Sequence, residues 1–410
     1  MMVTARLSDP STLPTSSSSP SSPGVAGRRR GLALAVTVAA AALLGLGGCS
    51  REPDVIKIGV GQPLSGPLAA LGQDMVNGTK MAVDEINARG GVRVGGKRIK
   101  LEVVSADDKS DVEAGKVAAR ALVDAGVTVA IAHLNSGVSI GSAKIYADAG
   151  IPQLAISTNP AYTKQGVPTT LRLVANDNLQ AKALGSYAAQ LAGAERFAVV
   201  DDGTPYGKGL ADDAAKELVA AKKQVLLRKT TDDKTTDFGA IVDEMAKGKV
   251  DVLVAALNDF QIEAIVELAA KAGYSRLRII GGDTLKTNKL AAVADKVAAI
   301  YATSPIIEAG EFPSGGVFLE NFRKLYKGTP VYGAHYAYDT VYVVADAIMR
   351  NKSADRAKLL ERLKSPQFDG NAPVTRSMRF GPDGEQRYSP VAVYLLRKGV
   401  WQPQLRSDRW

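Results

Sequence analysis

The chain has 410 residues, a formal net charge of +9, two histidines and one cysteine. The positive charge is spread out, with no lysine–arginine block interleaved with aromatics, which argues against nucleic acid as a partner. No HExxH or cysteine nucleophile is present and only two histidines could serve a metal or a triad, so the common metal and triad hydrolases lack their parts, and no metal or cofactor is implied.

Residues 1–27 are rich in Ser, Pro and Thr, a composition that cannot bury a core and is expected to be disordered. Residues 28–48 read as an export signal: Arg28, Arg29 and Arg30, then an uncharged stretch rich in Ala and Leu, then small residues. Cys49, which ends Leu46-Gly47-Gly48-Cys49, resembles the lipidated cysteine of bacterial lipoproteins. An uncleaved transmembrane helix is the alternative, but the stretch is at the short limit for a span and only weakly hydrophobic. With the leader removed, about 360 residues remain, more than one core usually supports, so two lobes are expected. The leader (Arg6, Arg28, Arg29 and Arg30 against Asp9) carries +3 of the total +9.

Beyond the leader, short apolar runs alternate with helical patterns. Strands are expected at Ile56–Val60, Lys100–Val104, Val127–Ile131, Gln153–Ile156, Phe197–Val200, Gln224–Arg228, Val250–Val254, Arg278–Ile280 and Ile300–Thr303. Asp74–Ala88 reads as a helix, with Met75, Thr79, Ala82, Val83 and Ile86 on one face and Gly90-Gly91 as its stop. Residues 92–99 read as a hairpin with Gly95-Gly96 at its tip. Residues 317–350 hold two more helices, and Met378–Phe380 and Val391–Lys398 return to strand. Strand–helix alternation of this kind predicts an α/β fold of parallel sheets covered on both faces.

Several motifs carry a resemblance: Pro63-Leu64-Ser65-Gly66-Pro67, Ala70-Leu71-Gly72-Gln73, Ala82-Val83-Asp84-Glu85-Ile86-Asn87, Ala149-Gly150-Ile151-Pro152, Thr158-Asn159-Pro160, Tyr206-Gly207-Lys208-Gly209 and Gly281-Gly282-Asp283. In this order they resemble the substrate-binding proteins of branched-chain amino-acid ABC transporters, over essentially the whole mature chain. The resemblance implies the two-lobed type I periplasmic-binding-protein fold with three hinge crossings, the first lobe at 54–173 plus 305–388 and the second at 174–304 plus 389–410. It also implies a monomeric, extracytoplasmic binder that delivers its ligand to ABC permease subunits, tethered to the membrane through Cys49. A ligand sensor of the same fold, feeding a membrane signalling partner, is the alternative.

A free amino acid presents two charges, and a closing cleft must give each a partner. By resemblance Ser136 and Thr158, with the backbone of Ser157, take the carboxylate; Asp283 takes the ammonium; Tyr206 packs over the ligand. The blander reading makes Ser136, Thr158 and Asp283 helix caps or turn residues. Leu71 and Asn258 stand where the branched-chain binders place tyrosines, and Asn135 replaces one half of a disulfide found in some relatives, so the side-chain pocket is expected to differ. His133, beside the site, is expected to be a satisfied core or cleft-edge residue lacking an orienting partner.

Overall fold

The computed structural model describes residues 52–408. The extension, the signal segment and Cys49 lie outside them. The first lobe begins with β1 (Val55–Gln62), α1 (Ala69–Ala88), β2 (Val92–Val94) and β3 (Lys97–Asp107). It continues through α2 (Val112–Asp124), β4 (Val129–Ala132), α3 (Ser136–Asp148), β5 (Gln153–Ala155), α4 (Ala161–Lys164) and β6 (Thr170–Arg172). The chain then crosses to the second lobe: α5 (Asp177–Gln190), β7 (Arg196–Asp201), α6 (Pro205–Ala220), β8 (Gln224–Thr230), α7 (Gly239–Lys247), β9 (Val252–Ala256), α8 (Asp259–Lys271), β10 (Arg278–Gly281) and β11 (Ala299–Ser304). It returns for α9 (Gly315–Tyr326), α10 (Ala334–Asn351) and α11 (Arg356–Leu363), then crosses a third time into β12 (Ala392–Arg397) and β13 (Val400–Arg406).

The first sheet has the order β2-β3-β1-β4-β5-β6 and the second β13-β12-β11-β10-β9-β7-β8. Their central strands are parallel and buried on both faces, so β4 (Val-Ala-Ile-Ala) and β9 (Val-Leu-Val-Ala-Ala) are continuous apolar runs. The expected parallel sheets are present, and each also has an antiparallel edge. In the first, β2 joins β3 through Gly95 and Gly96, both at positive φ, and a two-residue turn forces the strands antiparallel. In the second, β12 arrives through the last crossing, pairs antiparallel with β11, and turns back into β13. Met378–Phe380 is not a strand; Phe380 makes only an isolated bridge to Gln386.

The helix expected at Asp74–Ala88 starts earlier, at Ala69, and buries Leu71, Met75, Ala82 and Val83. Its main partner is α10, which is buried almost all round because it lies among α1, β2 and α11. Each fully buried aliphatic side chain in this packing contributes about 1.5–3 kcal/mol. Among the described residues no helix is long and apolar enough to cross a membrane.

One polar link in this core matters for the site. Asp74, on α1, accepts hydrogen bonds from the backbone N–H groups of Val331 (3.0 Å), Tyr332 (3.0 Å) and Ala334 (2.9 Å). Burial pushes its carboxyl up to about 6 even against those three donors. The carboxylate thereby fixes the irregular segment that enters α10 and presents Tyr332.

Candidate ligand-binding cleft

Parallel strands end on one side of their sheet, and in open α/β folds ligands gather there. Here β4 runs into Leu134-Asn135-Ser136, β5 into Ser157-Thr158, β7 into Asp202-Gly203-Thr204, β9 into Asn258 and β10 into Gly282-Asp283. These loops and Tyr332 line one cavity. All six residues singled out from the sequence, Ser136, Ser157, Thr158, Tyr206, Asn258 and Asp283, line it. Asp202, Thr204, Thr284 and Tyr332 line it as well and were not anticipated. Leu71 does not; it is buried in the hydrophobic cluster of the first lobe.

The first-lobe wall presents hydrogen-bond donors. Ser136 is the first residue of α3, whose opening N–H groups have no partner within the helix. Asn135, not Ser136, is the N-cap residue, and the Ser136 Oγ accepts the Asn159 N–H at 3.1 Å, which leaves its own proton to donate. The buried Arg172 holds the facing loop from behind. Its guanidinium donates to the Ser157 carbonyl, to the Asn159 carbonyl at 2.9 Å and to Glu385, the ion pair closing at 3.1 Å. No basic side chain lines the cavity itself.

The second-lobe wall presents a carboxylate. Asp283 is 2% exposed and accepts three hydrogen bonds: Tyr332 Oη at 2.5 Å, Gln180 Nε2 at 2.9 Å and Tyr206 Oη at 3.0 Å. It begins a short 3₁₀ turn behind Gly282, and its side chain makes no capping bond. Gly282 is required here, since a Cβ at that position would lie 2.0 Å from the Tyr206 hydroxyl and block its route to Asp283. Burial, then the Asp283 charge, raises both phenols well above their ordinary value, so each donates its proton.

Two further carboxyls stand nearby. Asp177, at the start of α5, is buried beside the Thr158 hydroxyl. Burial and the neighbouring Asp283 push it up to about 8, against the pull of Thr158 and Arg172. Burial likewise raises Asp202 to about 6, although it accepts the Thr204 N–H (3.0 Å) and hydroxyl (2.7 Å).

The lobes meet over this cavity. Tyr332 reaches Asp283 from the first lobe, and Asn159 Nδ2 donates to the Pro205 carbonyl at 2.5 Å. His133 is fully buried and, contrary to expectation, has orienting partners: Nδ1 lies 2.8 Å from Asp108 and Nε2 3.1 Å from the Tyr146 hydroxyl. Both ring nitrogens are thus engaged within the first-lobe core, and His133 does not line the cavity.

A family model described as "Periplasmic binding protein" matches residues 55–399. This chain belongs to that family. Its members are binding proteins, and no catalytic constellation is needed to account for the cleft. A Leu/Ile/Val-binding protein homologue of Brucella abortus is 33% identical over 367 residues, covering 88% of this chain and 95% of that one. The leucine-, isoleucine-, valine-, threonine- and alanine-binding protein of Pseudomonas aeruginosa is 26% identical, covering 90% and 97%. Among solved structures, the branched-chain amino acid transporter substrate-binding protein of Streptococcus pneumoniae in complex with isoleucine matches with a TM-score of 0.74 at 27% identity, covering 86% of this chain and 98% of that one.

Of the unanticipated residues, Asp202 and Thr204 carried a local signal: an acid and a hydroxyl between an apolar strand and the helix-opening Pro205. Tyr332 carried none, because it reaches the cavity from a loop far along the chain.

Proposed function

We propose that this protein is the extracytoplasmic solute-binding component of an ABC importer, closing its two lobes around one amino acid and presenting the closed form to a permease. The observation that carries the reading is the pairing of opposite chemistries across one cavity. Helix-terminal N–H groups and the hydroxyls of Ser136 and Thr158 face a buried carboxylate, Asp283, ringed by Tyr206 and Tyr332. A zwitterion satisfies both walls at once, and only when both lobes grip it, so binding favours closure. The relatives named for branched-chain amino acids support the ligand class.

A thermal-shift screen of the mature protein over the amino acids tests this. A ligand at 100 times its Kd should add about 2.7 kcal/mol to stability; no shift with any amino acid would refute the proposal. Tethering through a lipidated Cys49 belongs to the same proposal. Metabolic labelling with a palmitate analogue should mark wild type and not Cys49→Ala, and equal labelling of both would exclude the anchor.

A further inference from the structure

Only Leu134 and Ile156 among the cavity-lining residues have purely hydrocarbon side chains, and both also belong to the first-lobe hydrophobic cluster. On the second-lobe side the wall beyond Tyr206 consists of Asp202, Thr204, Asn258, Asp283 and Thr284. A branched aliphatic side chain placed there would strand polar groups without gaining an apolar surface to pack on.

Two polar atoms of the lining have no partner in the protein. Ser157 is 2% exposed and its Oγ makes no hydrogen bond; the Asn135 Oδ1 is buried and equally unengaged. Buried polar groups are ordinarily paired, so unpaired ones in a ligand cavity mark contacts that the ligand supplies. Asn135 Oδ1 accepts a hydrogen bond; Ser157 Oγ both donates and accepts. Charge narrows the class further. With Asp202 and Asp283 in the lining and no Lys, Arg or His, an anionic side chain has no counter-charge. A cationic side chain has little to bind, because Asp283 is taken by the ligand's own ammonium and Asp202 is already engaged by Thr204.

We infer that the cleft takes an amino acid whose side chain is short, uncharged and hydrogen-bonding, a hydroxyl or a carbamoyl, in preference to a branched aliphatic one. This rests on the amino-acid reading above and narrows it. A carbamoyl matches the two free atoms well, its NH₂ donating to Asn135 Oδ1 and its oxygen accepting from Ser157 Oγ.

Calorimetry of the mature protein with serine, threonine, asparagine, glutamine, leucine, isoleucine and valine decides it. At least one of the first four should bind about tenfold or more tightly than all of the last three. Leucine, isoleucine or valine binding as tightly as the best polar ligand overturns this inference and leaves the proposed function standing. Binding of none of the seven overturns this inference, and the proposed function falls with it only if the full amino-acid screen is also empty. Ser157→Ala and Asn135→Leu then test the assignment. The atoms removed have no partner in the protein, so both variants should fold, with melting temperatures at or above wild type. Each should weaken the best polar ligand about 3- to 10-fold and leave aliphatic ligands unchanged or tighter. Equal weakening of every ligand would overturn the assignment of these two residues to the side-chain subsite.

Discussion

Replacing Asp283 by asparagine removes a charge and little else. The side chain keeps its shape, and Tyr206, Tyr332 and Gln180 remain within reach. For a bound amino acid the change is severe, because a buried ammonium loses its counter-charge; breaking a buried ion pair from one side costs about 3–5 kcal/mol. That corresponds to a Kd raised by roughly two to three and a half orders of magnitude. The ligand-free protein should respond differently. Asp283 stands close enough to Asp177 to raise its carboxyl, so removing the Asp283 charge lowers the cost of burying Asp177 and offsets the weakened tyrosine bonds. Asp283→Asn should therefore keep its ligand-free stability within about 1 kcal/mol of wild type while losing nearly all affinity. Calorimetry at neutral pH measures the first effect and urea titration the second. A Kd within threefold of wild type would refute the role given to Asp283, and a large loss of ligand-free stability would refute the account of its repulsion with Asp177.

Asp177 makes a pH-dependent prediction. Its folded value, about 8, lies above the 3.8 of an exposed aspartate, so between those values the native state binds the extra proton and stability falls as pH rises. Asp177→Asn should thus be more stable than wild type, by an amount that grows from pH 4 to pH 8 and reaches the order of 1–3 kcal/mol; a difference independent of pH in chemical denaturation would exclude this. Arg172→Met leaves Glu385 without its counter-charge and removes the guanidinium donors to the carbonyls of Ser157 and Asn159. It should cost about 3–5 kcal/mol of stability in urea titration and weaken ligand binding in calorimetry. Unchanged affinity in a folded variant would show that the loop holds its shape without the arginine.

The alternating architecture was legible because apolar runs and helical faces have different periods, and the cavity loops because Ser, Thr, Asn and Asp stand just after those runs. The short strand β6 was not: its three residues include Arg172, a charge that sequence patterning assigns to the surface and the fold buries against Glu385. Strand β13 contains Pro403 and is exposed along most of its length, so it lacks the alternation that marks a half-buried strand. The partners of His133 were hidden for another reason. Asp108 and Tyr146 approach it from different elements, and only the packing of β4 between its neighbours brings them together. Tyr332 belongs with these cases, placed by a carboxylate on α1 that is distant in sequence.

The last two strands complete a sheet whose other members were laid down long before, and the helices of the other lobe intervene. During synthesis, therefore, the second lobe must wait with an open edge at β11 until the final residues have emerged. Loss of even the terminal hairpin would leave β11 as an unpaired edge, exposed to pairing with a neighbouring chain.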